Sequence, residues 1–230
     1  NLLYAVEKSS VKKFLFVSSI AVLDGYNEEG LMDEDSDFNP KLDHSAYAIS
    51  KHIAEMEVWR ASAEGLNTVI INPGMIVGSG NWGHSSGKIF QELSSPFTFP
   101  GSTALVDVRD VAKVAVHLME QSIFGQRFIV TSENVKYKKI SDKVRKYFGK
   151  KPASIIPNAM LDVLPFFSAV FGWIIPFLKL GNKTNVETIK SDCKITNKKI
   201  RDTLDYEFIP IDESVDFHLK NYAQSISKSN

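Results

Sequence analysis

Cysteine is nearly absent: Cys193 is the only one in 230 residues. No internal disulfide framework can form, and zinc clusters built on four cysteines, or on two cysteines and two histidines, are excluded. A single thiol suits a reducing cytoplasm, and a cytoplasmic location is expected. Charge of one sign is not in excess either. The net charge is zero, so no broad basic field is offered to nucleic acid or to an acidic membrane. The five histidines are scattered and lack the i, i+4 pairing of zinc helices, so no metal site is expected. Long apolar runs are missing too. Residues 163–178 are uncharged and include Phe166, Phe167, Phe171, Trp173 and Phe177. The stretch falls short of the about 20 apolar residues that a span needs, and Pro165 and Pro176 interrupt it. It reads as a helix pair over an apolar pocket, and no membrane partner is expected. Repeats and low-complexity tracts are absent. Residues 1–8 have no basic region followed by an apolar core, so they are no signal peptide. They read as the end of an amphipathic helix, with the chain starting inside a domain.

What the chain has is an apolar content of 43%, enough for one large domain or two small ones. Residues 12–17 read as a strand rich in aromatic and β-branched side chains. Residues 24–43 are acidic and turn-rich and read as a loop, with Asp33-Glu34-Asp35 as its solvated part. Ser45 can cap a helix running to about Glu64, closed by Gly65. Residues 67–71 form the next strand, stopped by Asn72-Pro73-Gly74. A short helix at 89–93 follows. A further helix begins near Val106-Asp107-Val108, with Asp110 helping to start it. A third strand at 127–130 and helices at 137–148, 196–204 and 212–225 complete the pattern. Strand, helix, strand, helix, strand is the order of a parallel sheet with crossover helices. The three strands lack alternating polarity, as sheets covered on both faces do.

Tyr47 and Lys51 lie four positions apart, on one face of the helix that Ser45 starts. A phenol beside an ammonium is a proton-transfer pair, because a nearby positive charge favours phenolate. Upstream, Phe14-Leu15-Phe16-Val17 ends in Ser18-Ser19. That sets hydroxyls where a strand opens into a loop, and sites in open α/β sheets lie outside the carboxyl ends of the strands. Each piece alone is common; their order makes them specific.

Phe16-Val17-Ser18-Ser19, Tyr47-Ala48-Ile49-Ser50-Lys51 and Asn72-Pro73-Gly74 with Gly78 resemble the extended short-chain dehydrogenase/reductases. These are the NAD-dependent epimerase/dehydratase and dihydroflavonol-reductase-like enzymes. Val106-Asp107-Val108-Arg109-Asp110-Val111-Ala112 resembles the family segment leading into its next helix. The resemblance covers about residues 1–220. It implies an α/β fold: the C-terminal part of a Rossmann-type doubly wound parallel sheet, with a small, mostly helical substrate-binding cap. Residues 1–134 would be the remaining part of the NAD(P)-binding domain, with 81–104 contributing to the substrate site. Residues 135–230 would be the mostly helical substrate region, with the terminal helices packing back.

The resemblance also implies roles. Tyr47 would be the general acid/base. Lys51 would hold the nicotinamide ribose and lower the Tyr47 pKa. Ser19, the second serine of its pair, would hydrogen-bond the reacting oxygen. Val17, Ser18, Tyr47, Lys51, Asn72, Pro73, Gly74 and Met75 would line the cofactor, NAD or NADP. Ala21, Trp82, His84 and Lys88 fall where the family contacts substrate, although the last three read more simply as loop and helix surface. The family's Gly-x-x-Gly-x-x-Gly, whose backbone cradles the pyrophosphate, does not precede Ser18. Gly78-Ser79-Gly80 follows the wrong strand to replace it. At roughly 30 residues per βαβ unit, about 90–100 residues would stand upstream. Two expectations follow: an unpaired edge or apolar surface at 13–17, and poor NAD(P) binding by this chain as it stands.

The leading expectation is an NAD(P)-dependent oxidoreductase or epimerase acting on a hydroxyl or ketone. The aromatic segment at 160–180 favours a small apolar substrate over a sugar nucleotide. A non-catalytic NAD(P)-sensing or partner-binding module, or an inactive fragment, is the alternative. By analogy with relatives that pair through the Tyr-bearing helix, a homodimer is expected. His44 and His52 read as loop and surface residues, and Asp107 and Asp110 as caps and structural residues.

Overall fold

The computed structural model describes residues 2–80, 82, 88–166 and 183–227. In chain order its strands are β1 (Lys13–Val17), β2 (Asn67–Pro73), β3 (Met75–Val77), β4 (Phe97–Thr98), β5 (Ser102–Asp107), β6 (Gln126–Val130), β7 (Glu133–Lys136) and β8 (Ser154–Ile155). Its described helices are α1 (Leu2–Glu7), α2 (Ala46–Ala63), α3 (Ile89–Leu93), α4 (Val108–Glu120), α5 (Tyr137–Tyr147), α6 (Asn158–Asp162), α7 (Lys183–Lys190), α8 (Lys198–Leu204) and α9 (Ile211–Ser227). Two units interleave along the chain. Asn1–Ile76, Val106–Ser132 and Lys194–Ile209 make the first, and the remaining segments make the second. The sequence reading draws one boundary, at 134/135. A linear boundary misses units that exchange segments, because local patterns do not record which elements pack together.

The first unit holds a parallel sheet in the order β1-β2-β6. Its central strand is apolar and β-branched, and Val69, Ile70 and Ile71 are fully buried. Val69 and Ile71 pack with Val106, Val114, Leu118, Phe128, Val130 and Ile200, contributed by β5, α4, β6 and α8. Alternation along the strand turns Ile70 and Asn72 to the opposite face, where α2 lies against β2. β2 runs two residues further than the sequence suggests. Asn72 and Pro73 pair in register with Ile129 and Val130 of β6. Pro73 is tolerated because β1 has already ended opposite Ile71, so its missing N–H disrupts no bond on that side.

The two edges of this sheet differ. β6 is covered: Glu34 Oε1 accepts from the Ile129 N–H at 2.8 Å, and Met32 bridges to Ile195 just beside it. Arg127 fastens the same loop, donating to the carbonyls of Glu34 at 2.6 Å and Ser36 at 2.9 Å. The acidic run is therefore not simply solvated, since Glu34 is only 8% exposed. Its burial pushes the carboxyl above the ordinary range, against the backbone N–H bonds and the Lys199 charge that pull it down. β1 has β2 on one side and no strand partner on the other among the described residues. Both its ends are exposed, so it is not the doubly covered strand its composition suggests. An apolar groove of about 440 Å³, lined by Lys13, Leu15, Ala115, Val116, Met119 and Glu120, runs beside it. An exposed edge or apolar surface at this strand is what the sequence leads one to expect.

α4 begins at Asp107, whose carboxylate accepts from the Arg109 N–H at 2.8 Å. Asp110 does not start the helix. It is buried and accepts from the Tyr206 hydroxyl at 2.8 Å and the Ile209 N–H at 2.9 Å, tying the segment after α8 to α4. Burial raises its pKa, and these two bonds oppose the rise.

The second unit is less purely helical than its sequence suggests. β5 pairs antiparallel with β7 from Ser102↔Lys136 to Leu105↔Glu133, and β4 pairs with β8. β4 and β8 have two residues each and β7 is polar (Glu-Asn-Val-Lys), so neither alternation nor an apolar run announces these three. The core around them gathers Phe90, Leu105, Ile140, Val144, Ile211 and Leu219, with Trp82 and Tyr222 at its margin. No helix among the described residues is long and apolar enough to cross a membrane. Of the aromatic stretch, residues 167–178 lie outside the described set.

Candidate active site at the carboxyl end of the sheet

The site is assembled from the ends of β1 and β2 and the first turns of α2. Ser18 continues the parallel ladder one step beyond β1, its N–H reaching the Ile71 carbonyl at 2.8 Å. The chain then leaves the sheet. Ser19 is extended (φ −163°, ψ 152°), and its Oγ accepts from the Ala21 N–H at 3.1 Å, capping a 3-10 turn over Ile20–Val22. A hydroxyl carries one donor beside its acceptor lone pairs, so the Ser19 proton stays available to a third group. Ala21 is exposed on this turn.

α2 starts where the sequence places it. Ser45 Oγ accepts from the Ala48 N–H at 3.1 Å, one of the orphan donors of a helix start. That start fixes the phase of the helix. Tyr47 stands in its first turn, 54% exposed. One turn on, Lys51 Nζ donates to the Val17 carbonyl at 2.8 Å. The same ammonium stands 5.3 Å from the Phe16 ring centre and 6.0 Å from that of Tyr47. Lys51 thus links the helix carrying Tyr47 to the strand that delivers Ser18 and Ser19. The 3-10 turn also packs against α2.

Asn72 closes the site from β2. It is fully buried, and its Nδ2 donates to the Ser19 carbonyl at 3.1 Å and to Glu55 Oε2 at 3.2 Å. Pro73, Gly74 and Met75 follow, with Met75 exposed and Gly74 N–H bonded to the Val130 carbonyl. Two buried polar atoms at these strand ends have no hydrogen-bond partner, Ser18 Oγ and Asn72 Oδ1. Ser18 is the register neighbour of Asn72, one step beyond Val17↔Ile71. Such orphans are uncommon in folded proteins. One hydroxyl and one carbonyl at the mouth of the sheet fit the polar edge of a nicotinamide–ribose group.

Of the residues singled out from sequence, the structure joins Lys51 to Val17 and Tyr47, and Asn72 to Ser19. Trp82 and Lys88 belong to the second unit. Trp82 is packed there against Phe90 and Tyr222, and Lys88 is exposed where α3 begins. His84 lies outside the described residues. His52 is not a plain surface residue: Phe38 stacks on it at 4.0 Å and also meets His44 at 4.0 Å. His44 is tied to Asp24 at 3.3 Å and anchors the acidic loop. No group of three or more His, Cys, Asp or Glu suited to a metal occurs among the described residues.

Glu55 and Arg127 went unnoticed in the sequence. Glu55 stands four residues after Lys51 on the same face, and a carboxylate on a sheet-facing stripe is the signal that could have revealed it.

Known proteins resemble this chain at the level of family and fold. The chain is 26% identical over 166 residues to sterol demethylase protein B of Methylococcus capsulatus, a match covering 70% of this chain and 50% of that protein. It is 27% identical over 161 residues to cinnamoyl-CoA reductase 2 of Arabidopsis thaliana, covering 64% and 48%. The chain thus spans about half the length of the curated relatives it matches. The crystal structure of gox2253 superposes with a TM-score of 0.80 at 23% identity, covering 97% of this chain and 70% of that one, which shows a shared fold. The family model for the NAD dependent epimerase/dehydratase family matches residues 1–130. That match takes in the parallel sheet, the Tyr-bearing helix and both strand ends, and the chain belongs to the NAD dependent epimerase/dehydratase family.

Proposed function

We propose that this chain carries the catalytic half of an NAD(P)-dependent oxidoreductase or epimerase, with Tyr47 as its proton-transfer group. The observation that carries this reading is the Lys51 ammonium on the Val17 carbonyl at 2.8 Å, one helical turn from Tyr47 and beside Ser18-Ser19. The family is described as NAD dependent, and NADP is the alternative cofactor of this reading. Bound there, it would supply the hydride acceptor or donor that no side chain provides. Val17, Ser18, Lys51 and Asn72 to Met75 would hold its nicotinamide end.

The chain's own groups do the rest. Tyr47 passes a proton to the substrate oxygen in reduction and takes one in oxidation. Lys51 has three donors; one is fixed on Val17, which leaves two for ribose hydroxyls. Ser19, its Oγ already oriented by the Ala21 N–H, donates to the same substrate oxygen and turns it toward Tyr47. The names of the relatives, a sterol-processing protein and a cinnamoyl-thioester reductase, support a small apolar substrate with a carbonyl or hydroxyl. The reading includes a cytoplasmic enzyme. It also includes a homodimer through α2, whose outer face exposes Ile49, Ile53 and Met56 at i, i+4 and i+7.

The test is NAD(P)H oxidation by the complete gene product over a panel of apolar ketones and aldehydes. Tyr47→Phe should lower kcat by about 10²–10⁴, the usual worth of a positioned proton donor, with KM little moved. Equal rates would remove Tyr47 from the mechanism. This chain alone, without a Gly-x-x-Gly-x-x-Gly in its sequence, should bind NAD(P) weakly. Isothermal titration giving micromolar affinity would contradict that.

A further inference from the structure

We propose that Glu55 is a positioning residue: through Asn72 it fixes the backbone that presents Ser19. The proposal rests on the role given to Ser19 above but is argued from a separate set of bonds. Glu55 is 2% exposed. One carboxylate oxygen accepts from Arg127 Nη1 at 3.3 Å, and the other accepts from Asn72 Nδ2 at 3.2 Å. The second proton of the same amide goes to the Ser19 carbonyl at 3.1 Å. Both receivers are acceptors only, so the amide has a single orientation. Turning it over would set Oδ1 against a carboxylate and a carbonyl.

The consequence for Ser19 is a backbone held from both sides. The chain one residue earlier is pinned by Ser18 N–H, in the Val17–Ser18 peptide, on the Ile71 carbonyl at 2.8 Å. The peptide after it is pinned by Asn72. With the peptide after it held by Asn72 and the chain anchored one residue before it, the Cα–Cβ bond of Ser19 is restrained in direction, and the Ala21 N–H then selects its rotamer.

Glu55 also sets the helix. At 100° per residue, positions 47, 51 and 55 stay on one face of α2. The eight-residue spacing is about 12 Å of axial rise. The bond from Glu55 to Asn72 therefore fixes the axial position of Tyr47 and Lys51 against the same strand end that holds Ser19. An apolar residue at 55 would fill the space against the sheet at lower desolvation cost. A buried acid kept there, bonded to an amide that has an orphan oxygen and a catalytic neighbour, is better explained by orientation than by stability.

The experiment reads orientation without relying on turnover. Amide hydrogen exchange is followed in this chain for wild type, Glu55→Gln and Glu55→Leu. The Glu55→Leu/Arg127→Met pair serves as the variant that removes both charges of the pair and keeps the sheet. In the double variant the expected result is exchange at Ala21 and Leu23, the amides of the Ser19-capped turn, faster by about tenfold or more beyond any change in the β2 and β6 amides. Glu55→Gln, which keeps a single acceptor, falls between. In the complete gene product the same variants lower kcat while cofactor and substrate KM stay within about twofold. Unchanged exchange at Ala21 and Leu23 would overturn the proposal, as would a uniform rise across the sheet. Failure of the functional reading has a different sign: Tyr47→Phe would keep full rate, whatever the exchange at the turn.

Discussion

Removing the Arg127 guanidinium separates what holds this site together from what it is for. Arg127 meets Glu55 at 3.3 Å and Asp37 at 3.1 Å, and donates to two loop carbonyls. Asp37 is fully solvated and contributes little. Glu55 is not, and leaving a buried charge without its partner costs about 3–5 kcal/mol. The two carbonyls add less, because they border a cavity of about 340 Å³ shared by Glu34, Glu55, Trp59 and Arg127 that is roomy and polar enough to admit water. Arg127→Met should therefore lower the urea midpoint by about 1–2 M, at a slope of roughly 2–3 kcal/mol per M. Replacing both members, Arg127→Met with Glu55→Leu, removes the stranded charge. The double variant should lie within about 2 kcal/mol of wild type, the residue of the cost being the Asn72 donor left without an acceptor. The assay is urea unfolding followed by far-ultraviolet circular dichroism, with all four corners of the cycle measured. Additive single effects, or an Arg127→Met shift below about 0.5 M, would refute the buried-pair argument.

Three further outcomes are expected. Burial raises the Glu34 pKa, so the acid's contribution to stability is full below its unfolded value near about pH 4 and is lost as pH rises through the folded value. Glu34→Gln keeps an acceptor for the Ile129 N–H and does not titrate, so wild type should lose ground to it between about pH 4 and pH 7 in thermal melts; a pH-independent difference would contradict this. Ile53, 59% exposed on the outer face of α2, should be central to a dimer, and Ile53→Glu should shift light-scattering mass from dimer to monomer. A monomeric wild type would dispose of that interface. Ser45→Ala removes the acceptor for the Ala48 N–H and should cost about 1 kcal/mol in chemical denaturation; no loss would show that the cap does not hold the start of α2.

Much of the site could be read from the linear chain because its cues are local. Ser45 caps its own helix three residues on, and the spacing of Tyr47 and Lys51 follows from the pitch of one helix. The apolar runs that became β1, β2 and β6 announce strands, though only β2 and the end of β6 are buried. β3, β4, β7 and β8 were not legible: they are short or polar, and they exist only through their neighbours; β5, six residues with a buried Ala104-Leu105-Val106 run, was passed over. Asp110 is structural, as its sequence position suggests, but its partners could not be read from it: Tyr206 and Ile209 lie about a hundred residues away in sequence.

The amino-acid order alone determined the parallel α/β pattern, the helix phase that sets Tyr47 above Lys51, and the family these residues resemble. Tertiary structure decided which edge of the sheet is covered and which is bare. It also decided that the two units trade segments, and that Glu55, Asn72 and Arg127 form one buried chain of bonds ending at Ser19. The physical reason is range. Helical pitch and capping act within a few residues, whereas a carboxylate reveals whether it is solvated or structural only when the fold brings, or fails to bring, a donor to it.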